Sequence, residues 1–317
     1  MQWISGNKLF YHLDRVNGDF RPITADVFLT NYCNNGCGFC TYNRWEHDTN
    51  SCYMSFDDFV KYAGRMIDLG VKGIILTGGG EPTINKDFEK ITEWLEQNSI
   101  PYGINTNFNV LKYFKPDYLK VSLDGYDEES YASIRKVRAY EKVRENIKAY
   151  ASWKKENSPT TNLGIQAIVD DPGTVLSFYE ANKDLPVDYI VFRPMESTGG
   201  EYYEDRMREA KKAISLINML AEADSRVVLN FKWYLLQERF ESCVAHWAQI
   251  ALDEKGNVIY CCHKPYEKIG HIMDDNILVK YADAKTNMSM CDVPCRMTAP
   301  NLFMETVKGP AVNSAFI

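Results

Sequence analysis

Residues 33–40 read Cys33-Asn34-Asn35-Gly36-Cys37-Gly38-Phe39-Cys40, three thiols within eight residues, directly behind an apolar, strand-like run. Reduced thiols gain little packing from crowding, so this spacing asks for a soft metal. Thiolates select zinc, copper(I) or iron–sulfur clusters. Zinc usually closes such pairs into a four-ligand tetrahedral shell. A tight group of only three suits a four-iron cluster with one iron left open to an external ligand.

Working outward, residues 24–31 read as a first strand that delivers the chain into Cys33. Beyond the cysteines, Ser55-x-x-Asp58 is a capping-box pattern that opens a helix. Leu69 closes that helix, with Gly70 as its stop. Gly73–Thr77 is a short buried strand ending in Gly78-Gly79-Gly80-Glu81-Pro82, and a second helix covers Lys86–Gln97. Further strands are expected at Tyr102–Asn105, Asp117–Leu123, Leu163–Val169 and Asp188–Phe192. A long charged helix lies within 127–156, another spans about 174–184, and a third runs from Tyr203 to Ala223. Six strands alternating with helices imply parallel pairing through right-handed crossovers. A partial or full (β/α) barrel and an open doubly wound sheet both satisfy that pattern.

After about residue 226 the rhythm changes. Trp247–Leu252 and Val258–Cys262 flank Asp253–Asn257, a hairpin pattern with Gly256 near its turn. The chain is therefore divided into residues 1–225 and a smaller unit at 226–317. The 317 residues are 45% hydrophobic and 25% charged, ordinary globular values that allow a substantial core. A net charge of −7 argues against a general binder of phosphate backbones, and no nucleic-acid partner is expected. Met1–Phe20 lacks a continuous apolar segment and does not read as a secretory signal. No run approaches the roughly 20 apolar residues that span a bilayer. A cytoplasmic protein without membrane association is expected. Its cysteines fall in two groups, with none between Cys52 and Cys243, which suggests two metal sites rather than a disulfide framework.

The spacing Cys33-x3-Cys37-x2-Cys40, with aromatic Phe39 before the last thiol, resembles the radical S-adenosylmethionine (SAM) superfamily. The resemblance extends to Gly79-Gly80-Glu81-Pro82 after the second strand, Thr106-Asn107 after the third, Val121-Ser122-Leu123-Asp124 at the fourth, and Arg135 in the next helix. It covers about residues 24–200 and implies a partial (β/α)6 TIM-like barrel. It also implies a [4Fe-4S] cluster on Cys33, Cys37 and Cys40 whose open iron is chelated by SAM. Gly79 and Gly80 would then approach the methionine moiety, Glu81 its ammonium and Arg135 its carboxylate. Ser122 and Asn107 suit the ribose hydroxyls, and Phe39 the adenine.

In the C-terminal part, Cys243-x12-Gly256-x4-Cys261 resembles the opening of SPASM and Twitch auxiliary-cluster domains. Cys291 and Cys295 would complete four thiolates for a second [4Fe-4S] cluster, the shorter Twitch arrangement. Tetrahedral zinc on the same four cysteines is the alternative. Cys52 and Cys262 are left without ligand duties. Cys262 follows Cys261 along a strand and should face the other way, where a buried inert thiol or a hydrogen-atom donor is possible. The loop Arg193–Gly200 could meet substrate, and His246, His263 and His271 flank the second cysteine group.

The resemblance implies reductive cleavage of SAM to a 5′-deoxyadenosyl radical that takes a hydrogen atom from an unactivated substrate carbon. An external donor such as flavodoxin or ferredoxin would supply the electron. An auxiliary cluster favours net oxidation (dehydrogenation). Epimerisation with Cys262 returning hydrogen, and maturation of a ribosomal peptide by C–C or thioether crosslinking, are the alternatives. Only 32 residues precede Cys33, so no fused peptide-recognition domain is expected. A sugar, aminocyclitol or other small polar substrate is favoured over a peptide. A non-catalytic zinc-binding interaction module is the reading from a different class.

Overall fold

Strands buried on both faces read as continuous apolar runs, and here they line up in one sheet. A computed structural model describes residues 8–16, 21–42, 52–198, 204–236 and 240–308. Gly199, Gly200 and Tyr203, together with residues 1–7 and 17–20, lie outside the described residues, so the expectations placed on them are not taken further.

In chain order the main elements are α1 (Leu13–Val16), β1 (Thr24–Phe28), α2 (Phe56–Asp68), β2 (Gly73–Thr77), α3 (Phe88–Gln97), β3 (Tyr102–Thr106), β4 (Tyr118–Ser122), α4 (Glu128–Arg135), α5 (Tyr140–Asn157), β5 (Asn162–Val169), α6 (Gly173–Asn182) and β6 (Tyr189–Pro194). They continue with β7 (Ser197–Thr198), α7 (Glu204–Ala223), β8 (Val227–Leu229), β9 (Gln249–Leu252), β10 (Asn257–Ile259), β11 (Lys268–His271), α8 (Ile277–Asp283), β12 (Asp292–Val293) and α9 (Thr298–Lys308). The main sheet has ten strands in the order β11-β10-β9-β1-β2-β3-β4-β5-β6-β8. From β9 through β8 every pairing is parallel. This is a partial TIM-like barrel, open between its outer strands. No helix among the described residues is long and apolar enough to cross a membrane.

Local chemistry sets several boundaries where the sequence put them. The Ser55 side chain accepts the Asp58 N–H, capping α2, and Gly70 follows the helix at φ +107°. The long helix expected within 127–156 is instead two helices. Lys136 ends α4 at φ +60° and its N–H still closes on the Ala132 carbonyl. That break frees the Arg135 carbonyl to accept the Gly36 N–H of the cysteine loop at 3.1 Å.

β9 adds directly to β1 in parallel register, Thr24 opposite Gln249. Ile250, Leu252, Val258 and Ile277 are buried in the same core as Val27 and Leu76. The C-terminal hairpin thus extends the barrel sheet rather than forming a sheet of its own. Buried aromatic edges, such as Phe88 against Phe114 at 5.2 Å, contribute about 0.5–1.5 kcal/mol each beyond area burial. The barrel floor is closed by two rings. Tyr118 and Tyr189 lie where a Cβ on Gly103 or Gly164 would sit, so those two positions must lack one.

Candidate active site

A cavity of about 460 Å³ opens at the C-terminal ends of the strands, where barrels of this kind carry their chemistry. Cys33, Cys37 and Cys40 line it together with Gly78–Glu81, Asn107, Ser122 and Arg135. The structure thus brings together every residue assigned by resemblance to the cluster and SAM, Phe39 included.

The sulfurs are already served by N–H donors. Asn107 Nδ2 lies 3.8 Å from Cys33 Sγ, and an Arg135 nitrogen lies 3.5 Å from Cys37 Sγ. Burial pushes the Cys33 thiol up to about 12. Such donors favour the thiolate over the thiol, and hydrogen bonds to sulfur also tune iron–sulfur clusters. Among the described residues no three His, Cys, Asp or Glu side chains close around a single metal ion. Three spaced thiols on one wall fit a multi-iron cluster.

Several of these residues also hold the site's own segments together. Glu81 is buried, and its carboxylate accepts from the Thr83 N–H, the Thr83 and Thr106 hydroxyls and the Asn107 N–H. It braces the turn after β2 against the loop after β3. Desolvation holds its carboxyl above the ordinary range although those donors pull the other way. A Cβ on Gly80 would collide with the Tyr32 backbone, so glycine there permits the close approach of the cysteine loop. The two segments are joined where the Gly80 N–H donates to the Thr30 carbonyl at 2.8 Å and the Glu81 N–H to the Tyr32 carbonyl at 2.9 Å.

Arg135 donates to the buried Asp124 carboxylate as well as to Cys37, and its guanidinium lies 5.5 Å from the Phe39 ring centroid. Asp124 also accepts the Ile168 N–H at 2.7 Å, at a left-handed φ of +51°. Non-glycine residues held in that region store strain of about 1–3 kcal/mol and cluster at functional sites. Phe108, at φ +58°, sits in the loop after β3.

Reading by resemblance missed Asn34, Asn35 and Asn109. Asn34 accepts from Asn107 at 2.6 Å and Asn35 from Asn109 at 2.6 Å, clasping the loop after β3 to the cysteine loop. The repeat of Asn between Cys33 and Cys37 and again at 107 and 109 was the available signal.

The second cysteine group assembles on the far side of the cavity. Cys243 and Cys295 pack against the same apolar cluster, around Trp247 and Met304. Cys243 Sγ accepts from Asn301 at 3.4 Å and Cys295 Sγ from the Met297 N–H at 3.3 Å. Burial, aided by Cys295, pushes the Cys243 thiol up to about 11. Cys261 is raised by burial and by the neighbouring Cys262 and Cys295 thiols, and Tyr260 feels Cys243, Cys261 and Cys291 together. All four expected cysteines therefore share one neighbourhood. Cys262 lies against Phe28 and Tyr42 and lines the cavity, whereas Cys52 does not. His246 is bound to the Cys243 and Tyr281 carbonyls at 2.7 and 2.8 Å, and His263 faces Glu196 at 3.5 Å.

The site thus combines a barrel sheet open at one side with three clasped thiols and a glycine turn at one mouth. The sequence model of the radical SAM superfamily matches residues 27–165. Such a domain implies SAM and one [4Fe-4S] cluster, and the three thiols fit that group.

Among curated proteins the chain is similar to the GTP 3′,8-cyclase of Psychromonas ingrahamii, at 26% identity over 132 residues. That match spans 38% of this chain and only 38% of the cyclase. Among solved structures it resembles Streptococcus suis SuiB bound to precursor peptide SuiA, with a TM-score of 0.63 and 17% identity, covering 87% of this chain and 68% of SuiB. It also resembles anSMEcpe with bound AdoMet, with a TM-score of 0.61 and 17% identity over 82% of each chain. At such identity these structural likenesses bear on fold alone.

Proposed function

We propose that this chain is a radical SAM enzyme that takes a hydrogen atom from a small polar molecule, most simply a sugar or aminocyclitol, and leaves it oxidised. The observation that supports this reading is one cavity lined both by the three clasped thiols and by Cys262, His263 and Arg296, the last next to Cys295 of the second cysteine group. When bound, a four-iron cluster with SAM supplies a 5′-deoxyadenosyl radical, and a second cluster on Cys243, Cys261, Cys291 and Cys295 would supply an electron acceptor.

The chain's own residues do the rest. Asn107 and Arg135 stabilise thiolate charge. The turn at Gly78–Pro82 and the carboxylate of Glu81 fix the mouth. Phe28, Phe39 and Tyr42 give apolar walls that keep water from a reactive carbon. Ser122 lies half-buried at the end of β4, within the cavity, as a hydroxyl for ribose. An external one-electron donor such as flavodoxin or ferredoxin completes the reading.

The likeness to a GTP 3′,8-cyclase raises a purine nucleotide as one further small polar substrate, and the likeness to peptide-bound SuiB keeps a peptide in view. Anaerobic protein reduced in the presence of SAM should release 5′-deoxyadenosine, and Cys33→Ala should abolish it. Retained cleavage in that variant would end the proposal.

A second reading is favoured by the position of Cys262, which lines the cavity beside its neighbour Cys261. A thiol there can return hydrogen to a substrate carbon, giving epimerisation. Turnover in heavy water separates the two. Solvent deuterium at carbon that disappears with Cys262→Ala supports epimerisation, and an oxidised product without deuterium supports dehydrogenation.

A further inference from the structure

Beyond the cluster end, the cavity holds a concentration of positive charge that neither the cysteines nor the comparisons account for. Lys120 sits on β4, two residues before Ser122 and so on the same face of the strand. It is also one pleat, about 6–7 Å, deeper into the barrel. Its partners in register are Asn105 on β3 and Gly164 on β5. Arg193 reaches the same cavity from β6, Lys232 from the turn after β8, and Arg296 from the residue after Cys295. Two carboxylates face these four cations. Glu196 takes Arg193 at 2.5 Å and also Lys232, with His263 at 3.5 Å, while Asp26 takes Arg296 at 2.6 Å.

The Lys120 ammonium makes no hydrogen bond or ion pair with any described residue, and its charged neighbours are Arg193, Lys232, Glu196 and Arg296. Buried nitrogens of Arg193 and Arg296 are also without a partner among the described residues. Lys232 and Arg296 lie close enough to Cys295 and to Cys261 to share in any thiolate charge there. Lys120 has no cysteine among its principal neighbours. An ammonium held among three other cations, with Glu196 already committed to Arg193 and Lys232, is costly and tends to shed its proton. Burial, aided by Arg193 and Lys232, brings Lys120 down to about 7. A ligand that brings negative charge removes that cost.

We propose that the inner end of the cavity is an oxyanion-recognition site in which Lys120 and Arg193 hold a carboxylate or phosphate group of the substrate. The substrate is then a small acid, which sets aside an aminocyclitol, whose ammonium groups the same cations would repel. This inference rests on the reading that the outer end of the cavity belongs to SAM. With SAM at the cysteine end, the acid group anchors the far end of the substrate and turns a carbon of its body toward the mouth. A planar guanidinium grips either oxyanion through paired N–H bonds, and an ammonium adds a point charge.

The test uses the anaerobic, full-length protein saturated with SAM and titrated calorimetrically with inorganic phosphate or malonate. One saturable site is expected, weakened at least ten-fold by Lys120→Met and restored by Lys120→Arg, with the surface control Lys183→Met unchanged. Phosphate preference would name a phosphorylated substrate, and malonate preference a carboxylic acid. Arg193→Gln, which leaves Glu196 paired with Lys232, gives the same comparison if Lys120→Met does not fold. Absence of saturable binding by both anions, or equal binding in the variants, overturns the proposal. 5′-Deoxyadenosine release is measured on the same samples, so a failure of the SAM reading is seen separately from a failure of anion binding.

Discussion

Replacing Glu81 with Gln separates a carboxylate that braces the protein from one that binds a ligand. Oε1 accepts three donors, the Thr83 N–H at 3.2 Å and the hydroxyls of Thr83 at 2.7 Å and Thr106 at 2.5 Å. Oε2 accepts the Asn107 N–H at 2.7 Å. A glutamine can keep its carbonyl toward the first three, which turns its NH2 against the Asn107 N–H. One charge-assisted bond, about 1.5–3 kcal/mol, is lost and a buried donor is left facing another donor. Removing a buried charge returns part of that, so the net destabilisation is about 2–3 kcal/mol. Unfolding entropy of about 2.1 cal/mol/K per residue over 317 residues gives about 0.7 kcal/mol/K, so Tm should fall by about 3–4 °C. Scanning calorimetry under anaerobic conditions, with SAM affinity measured in parallel, reads both quantities. A Tm unchanged within a degree, together with a hundred-fold loss of SAM affinity, would refute the bracing role and make Glu81 a direct ligand.

Gly80→Ala should destabilise the fold by about 3 kcal/mol or more, because the new Cβ meets backbone rather than a side chain that can turn aside. Iron content after anaerobic reconstitution reads the damage to the cysteine loop. Cys295→Ala should lower bound iron by about four atoms per chain while leaving SAM binding intact, whereas Cys37→Ala should remove SAM binding. Lys120 titrates at about 7 in the folded chain against an ordinary 10.5. Between those values the unfolded chain binds the additional proton, so stability rises with pH through that window. Lys120→Met should flatten this rise, worth on the order of 3 kcal/mol, in urea unfolding followed from pH 7 to 10.

What the sequence disclosed was local chemistry and spacing. Ser55 and Asp58 announce the start of α2, and five apolar and small residues before Gly78 mark β2 to the residue. The Cys33, Cys37, Cys40 and Gly79–Pro82 patterns place one mouth of the barrel. Long-range pairings were hidden, because nothing in Gln249–Leu252 says which edge it will join. The break at Lys136 was hidden as well, since a lysine in a charged helix gives no sign that it will adopt a left-handed φ. The bracing contacts of Glu81 were hidden because its partners, Thr83, Thr106 and Asn107, come from two segments that only the fold brings together. Lys120 looked like any strand lysine, yet its spacing from Ser122 by two residues was a usable sign that a charge points into the barrel.

The parallel seam between β1 and β9 has a consequence in time. Thr24 waits for Gln249, about 225 positions later, before its outer edge is covered. At a synthesis rate of roughly 5–20 residues per second, that interval is on the order of 10–45 s. Throughout it, the strand leading into Cys33 presents unpaired N–H and C=O groups, a template for pairing with another chain. The cysteine loop therefore leaves the ribosome well before the strand that covers the edge of β1. That order favours iron delivery before closure and exposes the nascent thiols to oxidants for the same interval.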